Sequence, residues 1–294
     1  LNFQNRSRVI ACAVLHGPGG VAIVDPGPSS TLAVLHQQLA GGGISLADVT
    51  TILLTHIHLD HAGATGTLVR ENPHLRVYVH EIGAPHMTEP GKLVASATRL
   101  YGDAMDRLWG EIAPVPSGVM TTLRGGERID VAGRSLEVAY TPGHASHHVS
   151  YFSVDSGVAF VGDTAGVRVV PNGFVLPPTP PPDIDLESWA QSLATIDRWQ
   201  ADALLVTHFG PASSVRPHLT EMLDHLDLVG QLSKQSLTIE GEDELKEGWF
   251  VDQVRQELRR SLSDADASSY EISGRFDLNW RGLARYWRKK DSVS

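Results

Sequence analysis

Short apolar runs broken by Gly- and Pro-rich turns fill the first two thirds of the chain, and stripes of helical period fill the last third. Residues 9–15, 21–24, 51–54 and 76–79 are bounded by turn residues and rich in Val, Ile and Leu, which predicts strands, with an amphipathic helix at 32–39 between them. The same pattern returns at 136–140, 148–153, 158–161 and 203–206, with a helix at 186–199. Two α/β halves of this kind predict two sheets packed face to face and covered outside by helices. Beyond residue 211 the period becomes 3.6, giving helices at 216–234, 242–261 and 278–290. Trp280, Leu283, Ala284 and Trp287 fall on one face of the last of these, a core-facing stripe opposite a solvated basic face.

The apolar runs stop on groups that bind metals. The first is His56-Ile57-His58-Leu59-Asp60-His61, directly after an apolar stretch. Burying four such polar groups without partners costs about 1–3 kcal/mol each, so a purely structural role is disfavoured. In an extended segment His56 and His58 point to one side, and Asp60 and His61 follow where alternation lapses. Residues 136–140 run into Thr141-Pro142-Gly143-His144, residues 157–161 into Gly162-Asp163-Thr164, and residues 202–206 into Thr207-His208. Sites beyond the carboxyl ends of sheet strands are the rule in α/β folds.

In this order the motifs resemble the metallo-β-lactamase-fold hydrolase superfamily, its glyoxalase II-like branch in particular, over residues 9–211. The resemblance implies a four-layer αββα sandwich carrying two divalent ions, zinc first, with iron or manganese as alternatives. His56, His58 and His144 would hold one ion, Asp60, His61 and His208 the other, and Asp163 would bridge them. Asp25, in an Asp-Pro-Gly turn, and His148 would support these ligands, and Asp60 would also orient the attacking water. The implied activity is hydrolysis of an ester, thioester, lactone or amide by a metal-activated hydroxide. Departures matter: Gly166 stands where homoserine lactonases commonly have Tyr, Asp163 is unusual for dinuclear β-lactamases, and Ala62-Gly63-Ala64 replaces the glyoxalase II x-Gly-Gly. A second class in the family, iron-dependent oxidoreductases resembling persulfide dioxygenases, is the alternative. A metal-stabilised binding protein without turnover is disfavoured by the full ligand set.

Two segments look added to this frame of residues 1–211. Residues 82–122 form a helical insertion near the site, in which Tyr101, Met105 and Trp109, with His86 a weaker candidate, are expected pocket walls. The Pro-rich stretch 176–182 is expected as a stiff rim, and Arg168 as a group that greets an anionic substrate. Residues 212–294 are expected to cap the sandwich and to frame the pocket or a homodimer contact.

The net charge of -10 argues against a nucleic-acid partner, and no apolar run reaches the ~20 residues of a bilayer span. The expected partner is therefore a small-molecule substrate. One cysteine, Cys12, excludes an internal disulfide and reads as a buried inert thiol, which suits the cytoplasm. The chain does not open on Met, so a signal segment upstream stays open as well.

Overall fold

The apolar runs pair as two mixed sheets, one from each half of the chain. The computed structural model describes residues 1–292. Its first half runs β1 (Ala13–Gly17), β2 (Gly20–Val24), α1 (Leu32–Gly41), β3 (Val49–Leu53), α2 (Leu59–Ala62), α3 (Thr65–Glu71), β4 (Arg76–His80), α4 (Ala84–Thr88), α5 (Gly91–Tyr101), α6 (Met105–Trp109) and β5 (Met120–Leu123). The second runs β6 (Arg128–Val131), β7 (Arg134–Tyr140), β8 (Val149–Ser153), β9 (Val158–Gly162), α7 (Leu186–Asp197), β10 (Ala203–Val206) and β11 (Gly210–Ala212). Four helices follow: α8 (Val215–Ser236), α9 (Asp243–Ser261), α10 (Asp264–Gly274) and α11 (Phe276–Asp291).

Strand order is β1-β2-β3-β4-β5 in one sheet and β11-β10-β9-β8-β7-β6 in the other. From β2 to β5 the first sheet is parallel, and in the second only β9 and β10 run parallel. Strand alternation then sets the layers. Ala22 and Val24 on β2 and Phe160 on β9 face inward, where they pack with Leu53, Val138, Val149 and Tyr151 between the sheets. Val21 and Ile23 face out toward Leu35, Leu39 and Leu68 of α1 and α3. Ala159 and Val161 face out on the other side, into a cluster shared with Trp189 of α7, Met222 of α8, Phe250 of α9 and Leu283 of α11. The chain is therefore an αββα sandwich with a helical extension packed against its second sheet.

The differences from expectation have local causes. The first strand begins at Ala13 rather than residue 9; residues 9–11 leave the sheet and turn their backbone groups to the site, Ala11 N–H donating to Thr207 O at 2.8 Å. The end of the 82–122 segment is strand rather than helix: β5 pairs parallel with β4. β6 is a short, charged edge strand in a hairpin with β7, too polar to register as a strand in sequence. α10 is rich in Ser, Asp and Ala and lacks a clear apolar stripe, although Ser263 caps it by accepting Asp266 N–H at 3.2 Å. Among the described residues, no helix is long and apolar enough to cross a membrane.

Candidate metal centre

Strand ends from both sheets meet at one rim. β3 stops at Leu53, an extended loop carries His56 and His58, and the single turn of α2 presents Asp60 and His61. His144 lies in the turn after β7, Asp163 follows β9, and His208 follows β10. Ligand atoms of His56, His58 and His144 lie within 4.8 Å of one another, as do those of Asp60, His61 and His208, and those of His56, His61 and Asp163. Asp163 stands between the first two groups: Oδ1 is 3.3 Å from His61 Nε2 and 3.6 Å from His208 Nε2, while Oδ2 is 3.4 Å from His144 Nε2. The structure thus brings together all seven residues singled out by the sequence.

The rings are held from behind. His144 Nδ1 donates to Pro178 O at 2.8 Å and His208 Nδ1 to Val9 O at 2.6 Å. A carbonyl only accepts, so the proton sits on Nδ1 and Nε2 is left with a lone pair facing the centre. His61 Nδ1 does the same to Asp25 Oδ2 at 2.8 Å. Asp25 also accepts Thr55 N–H (2.8 Å), Thr55 O–H (2.7 Å) and Thr207 O–H (3.1 Å), and Thr55 Oγ1 lies 3.1 Å from His56 Nδ1. One buried carboxylate therefore sets the orientation of loops from both sheets. His148 Nε2 accepts Asp163 N–H at 3.3 Å, and its Nδ1 is 2.9 Å from Thr141 Oγ1. Gly162 is required just before Asp163: its φ is +47°, and a Cβ there would lie 2.6 Å from His148 Nε2 and from Thr55 Oγ1.

The donor set fits a divalent ion pair. His56 Nε2, His61 Nε2 and Asp163 Oδ1 are buried and have no hydrogen-bond partner. Each such orphan costs about 1–3 kcal/mol unless something takes it. Imidazole and carboxylate together suit zinc, iron and manganese. Burial, then the neighbouring imidazoles, pushes His56 well below the ordinary histidine value, and His58 down to about 4, so both imidazoles are neutral at pH 7. Burial opposes ionisation of the carboxylates, yet His61 and His208 hold Asp163 well below the usual range and Asp60 at about 2. For His61 burial is again outweighed, here by Asp163, Asp60 and Asp25, which raise it well above its usual value. The local field calls for positive charge at this spot.

A cavity of about 370 Å³ opens on the centre. Tyr101, Trp109 and His86 line it, and so do Pro178 and Pro180–Pro182 of the proline-rich loop. Met105 does not; it packs behind the wall with Phe3 and Leu108. Arg168 does not either, and corrects the expectation of an anion-greeting group. Its guanidinium is committed inside the protein, to Gly173 O (2.8 Å), His218 Nδ1 (3.0 Å) and Glu221 Oε2 (2.6 Å). His147, for which the sequence offered no role, lines the cavity with its ring stacked 6.1 Å from that of His56. Arg275 and Asn279 also line it, and no local sequence signal marked them.

Comparison with known proteins places this geometry. Residues 7–209 match the family model described as the metallo-beta-lactamase superfamily. A metallo-beta-lactamase fold-containing protein of Sulfurisphaera tokodaii is 32% identical over 195 residues, 63% of this chain and 72% of that one. The hydroxyacylglutathione hydrolase of a Synechococcus species is 31% identical over 153 residues, 51% of this chain and 47% of its own. The chain thus spans less than half the length of the hydroxyacylglutathione hydrolases it matches. Among solved structures, a metallo-beta-lactamase family protein of Thermus thermophilus is similar with a TM-score of 0.69 at 25% identity, covering 96% of this chain and 89% of that one. From the family model and from the superposed folds alike, the chain belongs to the metallo-β-lactamase superfamily.

Proposed function

We propose that this chain is a dinuclear metal-dependent hydrolase that opens an ester, thioester, lactone or amide bond of a small molecule. The observation that carries this is the meeting of two ligand groups at Asp163 on the floor of a cavity of about 370 Å³, within the usual size range of small-molecule sites. His56, His58 and His144 would hold one ion, Asp60, His61 and His208 the other, with Asp163 shared. Zinc is the metal proposed. When bound, such a pair polarises a carbonyl and brings the pKa of water from 15.7 to about 7.

The chain's own residues do the rest. Asp60 is 26% exposed on the cavity side, with Oδ2 3.3 Å from His208 Nε2. Held at about 2, it stays ionised and accepts a hydrogen bond from the attacking water, which orients that water. Asp25 and His148 keep the ligand loops in register, and the proline-rich loop limits access. No side-chain nucleophile is needed, and burial pushes the Cys12 thiol up to about 12, which disqualifies it. Residues 1–211 would form the catalytic frame and 212–294 its cap, and the relatives' name as hydrolases supports the reaction class.

The test is metal analysis coupled to a panel of thioesters, lactones, β-lactams and phosphodiesters. Two ions per chain and turnover that chelation abolishes and zinc restores are expected. Two bound ions without turnover of any member would overturn the hydrolase assignment, and oxygen uptake by an iron-loaded protein would replace it with oxidoreduction.

A further inference from the structure

The wall facing the metal floor comes from two segments far apart in sequence. Leu93, Leu100, Leu108 and Trp109 belong to α5 and α6, and Ile272 and Leu278 flank the junction of α10 and α11. The segments are locked together, because Leu108, Trp109, Tyr101 and Ile272 share one packed cluster with Phe3 and Ile10. Tyr101 and Trp109 meet edge to face at 5.0 Å. The wall is therefore a built surface with a fixed shape. Arg275 at the junction has φ +32°, a left-handed conformation that costs a non-glycine residue about 1–2 kcal/mol; this turn separates Ile272 from Leu278 while both reach the cavity.

Ionic groups on this wall are already used. Arg275 gives two hydrogen bonds to Asp277, Nε to Oδ1 at 3.0 Å and Nη2 to Oδ2 at 2.7 Å, and lies 5.7 Å from the Tyr101 ring centroid. Asp183 accepts Ser146 O–H at 2.6 Å. His147 is buried, and its Nδ1 accepts the Ile57 N–H at 3.5 Å. Lys92 is left on the exposed rim, with His86 nearby on the lining. A substrate rich in carboxylates would find Lys92 at the mouth, Arg275 already paired with Asp277, and an apolar surface beyond them. An uncharged chain would instead exchange water for Leu, Ile and Trp side chains.

We infer that the substrate is an ester or thioester bearing an uncharged apolar chain of several carbons, seated between α5–α6 and the α10–α11 junction. This rests on the hydrolase proposal above. The zinc-loaded protein is assayed with thioesters of N-acetylcysteamine from two to ten acyl carbons, with acetate esters of straight-chain alcohols over the same range, and with S-lactoylglutathione. In the ladder whose chain enters the pocket, kcat/KM rises about three- to fourfold per methylene, the factor that ~0.8 kcal/mol per buried CH₂ gives, until the pocket is full. The glutathione thioester falls below the long-chain members. Leu100→Trp and Ser96→Phe, both at half-buried lining positions, shorten the optimum by several carbons.

Calorimetric binding of uncharged alcohols from four to ten carbons needs no turnover. Affinity that climbs with length supports the pocket, and affinity flat in length overturns it. Acetyl substrates as good as octanoyl ones, or the glutathione thioester as the best substrate, also overturn it. Length-dependent binding with no hydrolysis in a protein holding two ions sinks the proposed reaction and leaves the apolar pocket standing.

Discussion

The side-chain amide of Asn279, on the last helix, accepts the backbone N–H of Thr179 at 2.8 Å and donates to Pro177 O at 3.3 Å. Between those two contacts lies Pro178, whose carbonyl fixes the ring of His144. Helix α11 thus reaches, through this loop, the ring of His144 that follows β7. Asn279→Ala removes both side-chain contacts and leaves the loop with the bond from Thr179 O–H to the backbone carbonyl of residue 279, at 3.2 Å. Metal affinity should fall about 10–100-fold, the usual effect of losing a residue that supports a ligand, with the circular dichroism spectrum unchanged. A competition titration with a chelator measures this, and wild-type affinity would refute the linkage.

Asp60→Ala should leave a folded protein and remove most hydrolysis, since the water loses its orienting carboxylate and one ion a ligand. His208→Ala should lower the stoichiometry from two ions towards one, because only one ligand group contains it. Elemental analysis decides the second point: two tightly held ions in that variant would mean the ligand assignment is wrong.

The clustering of the seven side chains was legible in sequence because each apolar run stops on a group that could bind a metal, so chain order alone carried the pattern. His56 and His58 fall in one group as strand alternation predicts, and the one-turn α2 presents Asp60 and His61 after it. The layers were legible for the same reason, alternation along β2 and β9. The cavity wall was not. Arg275 and Ile272 reach it only because α10 and α11 pack beside α5 and α6, a long-range choice that no local period encodes. Arg168 was misplaced because its position after Asp163 suggested the site, whereas its partners His218 and Glu221 lie on α8, about fifty residues on.

Arg168 therefore acts as a strut, and His218 reports on it. His218 Nε2–H donates to Ala165 O at 2.7 Å, which leaves Nδ1 to accept from the guanidinium. Burial and then the Arg168 charge outweigh the Ala165 bond and lower His218 from 6.5 to about 4. A histidine lowered in the folded state binds its proton more readily when unfolded. Its stabilising contribution is complete above pH 6.5 and is lost as pH falls toward 4, up to about 3 kcal/mol. Urea unfolding of wild type and His218→Gln at pH 7, 5.5 and 4.5, at equal metal content, should show the gap between them shifting against wild type. Parallel profiles would remove the strut from the account.

Cys12 is half-buried against the core of the first sheet rather than fully buried as expected, and its thiol offers a simple check on access. Its thiol is pushed up to about 12 by burial first and then by the Asp25 carboxylate. Iodoacetamide at pH 8 should modify the native protein at least tenfold more slowly than the urea-unfolded chain. Equal rates would show that the segment before β1 is open to solvent.

The seven clustered side chains are shared between the two sheets: four follow β3 in one, and three follow β7, β9 and β10 in the other. An ion pair gripped there would fasten the halves of the molecule to each other like a rivet through two plates. Sliding one plate past the other by a single residue step, about 3.3 Å, would pull the donors out of reach. The oily seam between the plates is thus answerable to the chemistry at its rim as well as to its own packing.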